Sequence, residues 1–183
     1  ITFFEITTAV AFYLFAKEKS NFLILETGLG VRLDATNVIE KSLIDIITPI
    51  GIDHQEFLGN NILEIANEKL GIIKKNSTII ISKQKKIVDL HIRKIKKNSS
   101  IILAKQENNV FENISKKLKN KKNDKIFYSN DYKITKKNKK KFILNYKKEK
   151  FFFSNPKLLG DHQIENASTA ISAILKIKEK GYK

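Results

Sequence analysis

The chain has 183 residues, a formal net charge of +16, no cysteine and no methionine. That length holds one domain with a real core, or one domain and an appendage, and the lack of cysteine excludes a disulfide framework or a thiolate metal site and fits a reducing cytoplasmic setting. Residues 115–150 carry 15 lysines against the three acids Asp124, Asp131 and Glu149, which is +12 of the +16, so the basicity is local and reads as solvated surface ahead of a functional basic patch.

In chain order, residues 2–18 are apolar almost all round (Phe3, Phe4, Ile6, Ala9, Val10, Phe12, Leu14, Phe15), which predicts a core helix packed between other elements. Thr2 and Glu5 have the spacing of a capping box. The segment contains Glu5, lacks a basic start and falls short of the roughly 18 residues that a membrane span needs, so no membrane association is expected. The chain opens on Ile1 already inside this pattern, which reads as a piece of a longer protein.

The apolar run Phe22–Leu25 predicts a first strand over Asn21–Leu25. Behind it comes Glu26-Thr-Gly-Leu-Gly-Val-Arg-Leu-Asp-Ala-Thr-Asn37, dense polar chemistry at the kind of strand end where open α/β sheets bind ligands. A second strand is expected over Leu43–Thr48, followed by Gly51, Asp53, His54 and Glu56. A helix over Ile62–Leu70 is expected next, capped by Asn60 or Asn61 and closed by Gly71.

The stripe Ile62, Ile65, Ala66 continues to Lys69, so either the ammonium faces inward, which is costly without a partner, or its stem packs and its head snorkels to water. Strands are expected at Ser77–Ser82 and Ile101–Ala104, with an amphipathic helix over Lys85–Lys97 bearing Ile87, Leu90 and Ile95. Residues 110–158, with the short aromatic runs Ile126–Tyr128, Lys141–Tyr146 and Phe151–Phe153, predict a small antiparallel sheet. A last helix starts near Ile164 and buries Ala167, Ile171, Ile174 and Leu175. The alternation makes this an α/β fold, a mostly parallel sheet flanked by helices, with a small antiparallel β subregion.

Two strand ends thus offer Glu26 and His54, and a helix face offers Lys69. A carboxylate and an imidazole on neighbouring strand ends can share a divalent ion, and such ligands with retained waters suit Mg²⁺ beside a phosphate substrate; a histidine after a strand has structural uses too.

Five blocks in order carry a resemblance: Thr2-Phe3-Phe4-Glu5, Glu26–Asn37, Ile52-Asp53-His54-Gln55-Glu56-Phe57-Leu58-Gly59, Glu68-Lys69-Leu70-Gly71-Ile72 and Gly160-Asp161-His162-Gln163-Ile164-Glu165-Asn166-Ala167. The sequence resembles the folylpolyglutamate synthase and dihydrofolate synthase family of the Mur ligase superfamily. The resemblance implies a central ATP-binding domain of phosphate-loop topology in a monomeric cytoplasmic ligase. Such an enzyme joins L-glutamate to dihydropteroate or folate through an acyl phosphate formed with ATP and Mg²⁺. It assigns Glu26, His54 and a carbamylated Lys69 as catalytic metal ligands, and Thr2, Phe3, Phe4, Glu5, Leu33, Asp34 and Ala35 to the pterin substrate. Asn166, His162 and Gln163 match the adenine side.

Residues 1–183 then make up part of that domain, with 110–158 as a variable region and 160–183 as its last helix. The phosphate loop G-x-x-x-x-G-K-[ST] and a glutamate-binding domain are expected upstream of Ile1 and downstream of Lys183, so these residues alone are expected to bind ATP poorly and catalyse nothing. Val31 stands where the family has a second consecutive glycine. Two alternatives remain at this level. One is a Mur-type ligase acting on a muramyl nucleotide, and the other is a nucleic-acid-binding module using residues 115–150; no specific nucleic-acid partner is expected.

Overall fold

The computed structural model describes residues 1–84, 95, 99–119, 124–128, 130–136, 138, 140–158 and 160–182. Four strands, β1 (Ile44–Ile47), β2 (Thr78–Ile81), β3 (Ser100–Leu103) and β4 (Lys125–Phe127), form a parallel sheet in chain order. Their register sets Ile46, Ile80, Ile102 and Ile126 in one row across the sheet and Ile47, Ile81, Leu103 and Phe127 in the next. Successive side chains of a strand point to opposite faces, so these β-branched runs serve two layers at once.

On one face, Ile79, Ile81, Ile101 and Leu103 pack with Ile62, Ile65 and Ala66 of helix α3 (Ile62–Lys69) and with Val110, Ile114 and Leu118 of helix α4 (Asn108–Leu118). Two crossover helices on one face are what a sheet wound in one direction by connections of a single hand produces. On the other face, Ile80, Ile102 and Ile126 pack with Ala173 of helix α5 (Asp161–Glu179) and with Tyr132, Leu144 and Tyr146 of a second sheet. That sheet is an antiparallel meander of β5 (Tyr132–Lys136), β6 (Lys141–Tyr146) and β7 (Glu149–Ser154).

Several expectations need correction. Asn21–Leu25 is not a strand: Phe22, Leu23 and Ile24 are exposed, Ile24 to 92%, and Phe22 instead meets the Tyr182 ring edge-on at 6.1 Å. Among the described residues β1 pairs only with β2, and a run of high β propensity forms no strand without a neighbour to ladder against. Helix α1 (Phe3–Lys17) forms with the expected capping box, yet none of its residues is buried; the short 3₁₀ turn Ala35–Val38 packs against it and leaves much of its apolar surface exposed.

The run Ile126–Tyr128 supplies β4 of the parallel sheet rather than part of the antiparallel one, and α4 runs into the 110–158 stretch, where no helix was expected. Helix α5 begins at Asp161, three residues before the expected start. The helix expected over Lys85–Lys97 lies outside the described residues, apart from the buried Ile95. Among the described residues no helix is long and apolar enough to cross a membrane.

Candidate functional site

The segment after Glu26 forms a loop held by one carboxylate. Asp34 accepts the N–H groups of Gly28, Leu29 and Thr36, each at 2.9 Å, and the Thr36 hydroxyl. Burial alone would raise the Asp34 pKa, but these hydrogen bonds outweigh it and hold the carboxyl below its usual range. Gly28 lets the Phe4 ring come close: a Cβ there would lie 2.8 Å from Phe4 Cζ. Gly30 alone in this loop takes a positive φ, +72°, whereas Val31 does not and is buried, so a side chain at position 31 fills core instead of straining the turn.

The loop is then fastened to α3. Arg32 Nε donates to both carboxylate oxygens of Glu68 at 3.0 and 3.1 Å, and Asn37 Nδ2 donates to the Arg32 and Gly71 carbonyls. Helix α3 starts where the Asn61 side chain accepts the Leu63 and Glu64 N–H groups, and a 3₁₀ turn over Leu70–Ile72 ends it. Between the start of α1, this loop and α3 lies a cavity of about 590 Å³. Thr2, Phe4, Glu5, Leu33, Asp34 and Ala35 all line it, so six of the seven residues expected at the pterin come together from two separate segments. The seventh, Phe3, is 82% exposed and is not part of the lining.

Sequence reasoning gave no role to the opposite wall, made by Phe57, Leu58, Glu64, Asn67 and Glu68. The Phe57-Leu58 and Glu68 blocks were visible, but spacing cannot say which wall of a cavity a helix supplies. The acids of the lining are already engaged. Glu5 accepts from the Thr2 backbone and hydroxyl, which lowers its pKa, Glu64 accepts from Asn60 and Asn61, and Glu68 holds Arg32. These carboxylates therefore brace the walls.

His54 follows β1 on the left-handed side of backbone space, at φ +49°. For a non-glycine residue that conformation costs about 1–2 kcal/mol and persists where surroundings enforce it. Its carbonyl accepts the Phe57 and Leu58 N–H groups of α2 (Gln55–Leu58), and its exposed imidazole Nε2 lies 3.5 Å from Asp53 Oδ2. Lys69 is half-buried near the end of α3, and Glu26 is exposed; neither side chain makes a hydrogen bond or ion pair with the described residues. No group of three His, Asp or Glu side chains among the described residues is gathered for a metal ion.

Asn166, His162 and Gln163 lie on the first turns of α5, where His162 Nε2 and Gln163 Nε2 are 3.0 Å apart and Asn166 is exposed. One turn on, Thr169 Oγ1 is 3.4 Å from Ser82 Oγ, so this end of the helix meets the carboxyl edge of β2.

Over 80 residues the chain is 56% identical to a dihydrofolate synthase/folylpolyglutamate synthase of Bacillus subtilis, and over another 80-residue match 49% identical to a probable dihydrofolate synthetase of Schizosaccharomyces pombe. These matches cover 43% and 44% of the chain but only 18% and 19% of those proteins, so the chain spans about a fifth of their length. The fold is similar to that of L. casei folylpolyglutamate synthase, with a TM-score of 0.71 at 22% identity over 100% of this chain and 40% of that one. A Thermotoga maritima folylpolyglutamate synthase gives a TM-score of 0.63 at 25% identity over 96% of this chain and 35% of that chain. The model of the Mur ligase middle domain matches residues 2–174, nearly the whole of the α/β unit described above, and the chain belongs to that family.

Proposed function

We propose that the chain is the central part of an ATP-dependent ligase that joins L-glutamate to dihydropteroate or to folate, the phosphate loop and a C-terminal domain lying in further parts of a longer, monomeric polypeptide. One observation carries the reading: a cavity of about 590 Å³, the size of small-molecule sites, whose wall is built from the Thr2–Glu5 and Leu33–Ala35 segments. A structure similar in fold is described as a folylpolyglutamate synthase complex with AMPPCP and folate.

The residues divide the work. The Phe4 ring, pressed on Gly28, offers an apolar face to a flat heterocycle, and with the carboxylates committed to the walls, backbone groups of the 29–35 loop are left to meet its polar edge. Asn166, exposed on α5, has both the donor and the acceptor that the N6/N7 edge of adenine requires. Glu26, His54 and Lys69 as its carbamate fit Mg²⁺ by donor chemistry, two oxygen ligands and an imidazole, and Glu26 and Lys69 are uncommitted to any described neighbour. These residues would hold the Mg²⁺, which would there supply charge stabilisation for phosphoryl transfer. A carbamate answers the burial of Lys69 by turning a half-buried cation into an anion with a metal partner.

In the complete protein, ligation of glutamate to dihydropteroate or folate with release of ADP and phosphate is expected, and Lys69→Ala is expected to abolish it. The 183 residues alone are expected to give no turnover. Activity with a UDP-muramyl acceptor and none with pterins overturns the assignment.

A further inference from the structure

Where the parallel ladder stops, the last carbonyls of its strands lose their partners, and two glutamines take over. Gln84, 1% exposed, accepts the Ile50 N–H through Oε1 at 3.0 Å and donates through Nε2 to the Thr48 carbonyl at 3.2 Å and the Ser82 carbonyl at 3.0 Å. Its own N–H goes to Gln106 Oε1 at 2.8 Å, and Gln106 Nε2 donates to the Ser82 and Ala104 carbonyls, both at 3.0 Å. The pair thereby ties together the exits of β1, β2 and β3, and Ser82 passes the tie to Thr169 on α5. Neither glutamine lines the cavity.

Three residues separate the buried Ile50 from His54, whose left-handed backbone and carbonyl start α2. We infer that Gln84 is a positioning residue: its buried amide, backed by Gln106, fixes the loop from β1 to α2 that presents His54 and ties that loop to the helix carrying Asn166. The inference rests on the ligase reading for its kinetic consequence and goes beyond it by assigning a role to a residue outside the cavity. Only a primary amide can accept from Ile50 and donate to Thr48 and Ser82 together. A carboxylate of the same shape keeps the acceptor and turns an anion toward two carbonyl oxygens; leucine keeps the bulk and loses both functions.

The test compares Q84E, Q84L and Q106L in the complete protein, with I114A as a control that weakens the same core cluster without removing any of these hydrogen bonds. Hydrogen exchange of the segment 49–58 is expected to quicken about tenfold in Q84L and Q84E, and less in Q106L, while β2 exchange keeps pace with the wild type. The Mg²⁺ and ATP requirements are expected to rise several-fold with the pterin KM unchanged, and I114A is expected to alter neither exchange at 49–58 nor this ratio. Unchanged exchange in Q84L, or a rise spread evenly over the chain, overturns the inference, as does a pterin KM that climbs in step with the Mg²⁺ requirement. A wild type without ligation overturns the ligase reading, and exchange then decides the role of Gln84 by itself.

Discussion

At Gly71 the loop that begins after Glu26 meets the end of α3 with no room for a side chain. A Cβ there would sit 2.8 Å from Arg32 Cβ and 3.0 Å from Arg32 Cα, and the second of these is backbone that cannot swing aside. Gly71→Ala is therefore expected to destabilise the protein by about 1–3 kcal/mol in a denaturant titration, as overpacking does. Gly51→Ala, with open space around it, is expected to stay within about 0.5 kcal/mol. Both glycines look alike in the sequence, since a close approach depends on what the distant loop does. The roles of Asp34 and Arg32 were hidden for the same reason. Their residue types announced a site, but only the fold shows that Asp34 spends both oxygens on its own loop and that Arg32 is paired with Glu68.

Among the elements, those with neighbours on both faces were the legible ones. The β-branched runs of β1, β2 and β3 and the Ile62, Ile65, Ala66 stripe of α3 lie within a residue or two of their expected bounds, because burial and sequence pattern agree there. The misses came where that agreement fails. The run at 21–25 has a strand's composition and no partner, and α1 has a core helix's composition and no cover. Helix α4 did carry a signal, Val110, Ile114 and Leu118 at four-residue steps, but it was masked by the lysines and asparagines around it. Its anchor is testable. Ile114→Ala is expected to cost about 2–4 kcal/mol in thermal or chemical unfolding, and Asn113→Ala, exposed one position earlier, almost nothing.

Over the whole molecule, one ion cluster joins the two sheets through α5. Lys176, 6% exposed, donates to Asp124 at the entrance to β4 at 2.7 Å and to Glu179 at 3.1 Å, and Glu179 also holds Lys147 in the turn between β6 and β7. Burial alone would lower the Lys176 pKa, but its two hydrogen bonds and the adjacent charges hold it above the usual lysine value. The hydrogen bond from Lys176 likewise holds Asp124 below the usual aspartate value. A lowered carboxyl contributes stability above its unfolded pKa of about 3.8 that is lost as pH falls through the folded value. The raised ammonium contributes stability below about 10.5 that is lost as pH rises past the folded value. Melting temperature is expected to decline at both extremes, and Asp124→Asn to lower the plateau while flattening the acid limb. A charge count of +16 revealed none of this, since it records how many lysines there are and not which one is buried.

The uncovered surface of α1 has a consequence for handling the isolated chain. Phe3, Val10, Tyr13 and Leu14 lie open on a helix with no buried residue, and Ile46 on β1 is also exposed, while +16 of net charge pushes copies apart. Electrolyte shortens the reach of that repulsion, from about 10 Å at 0.1 M to about 3 Å at 1 M, and leaves the attraction between oily helices intact. Colloidal stability is thus expected to collapse with added sodium chloride, seen as rising light scattering, and Val10→Glu with Leu14→Glu is expected to move the onset to higher salt.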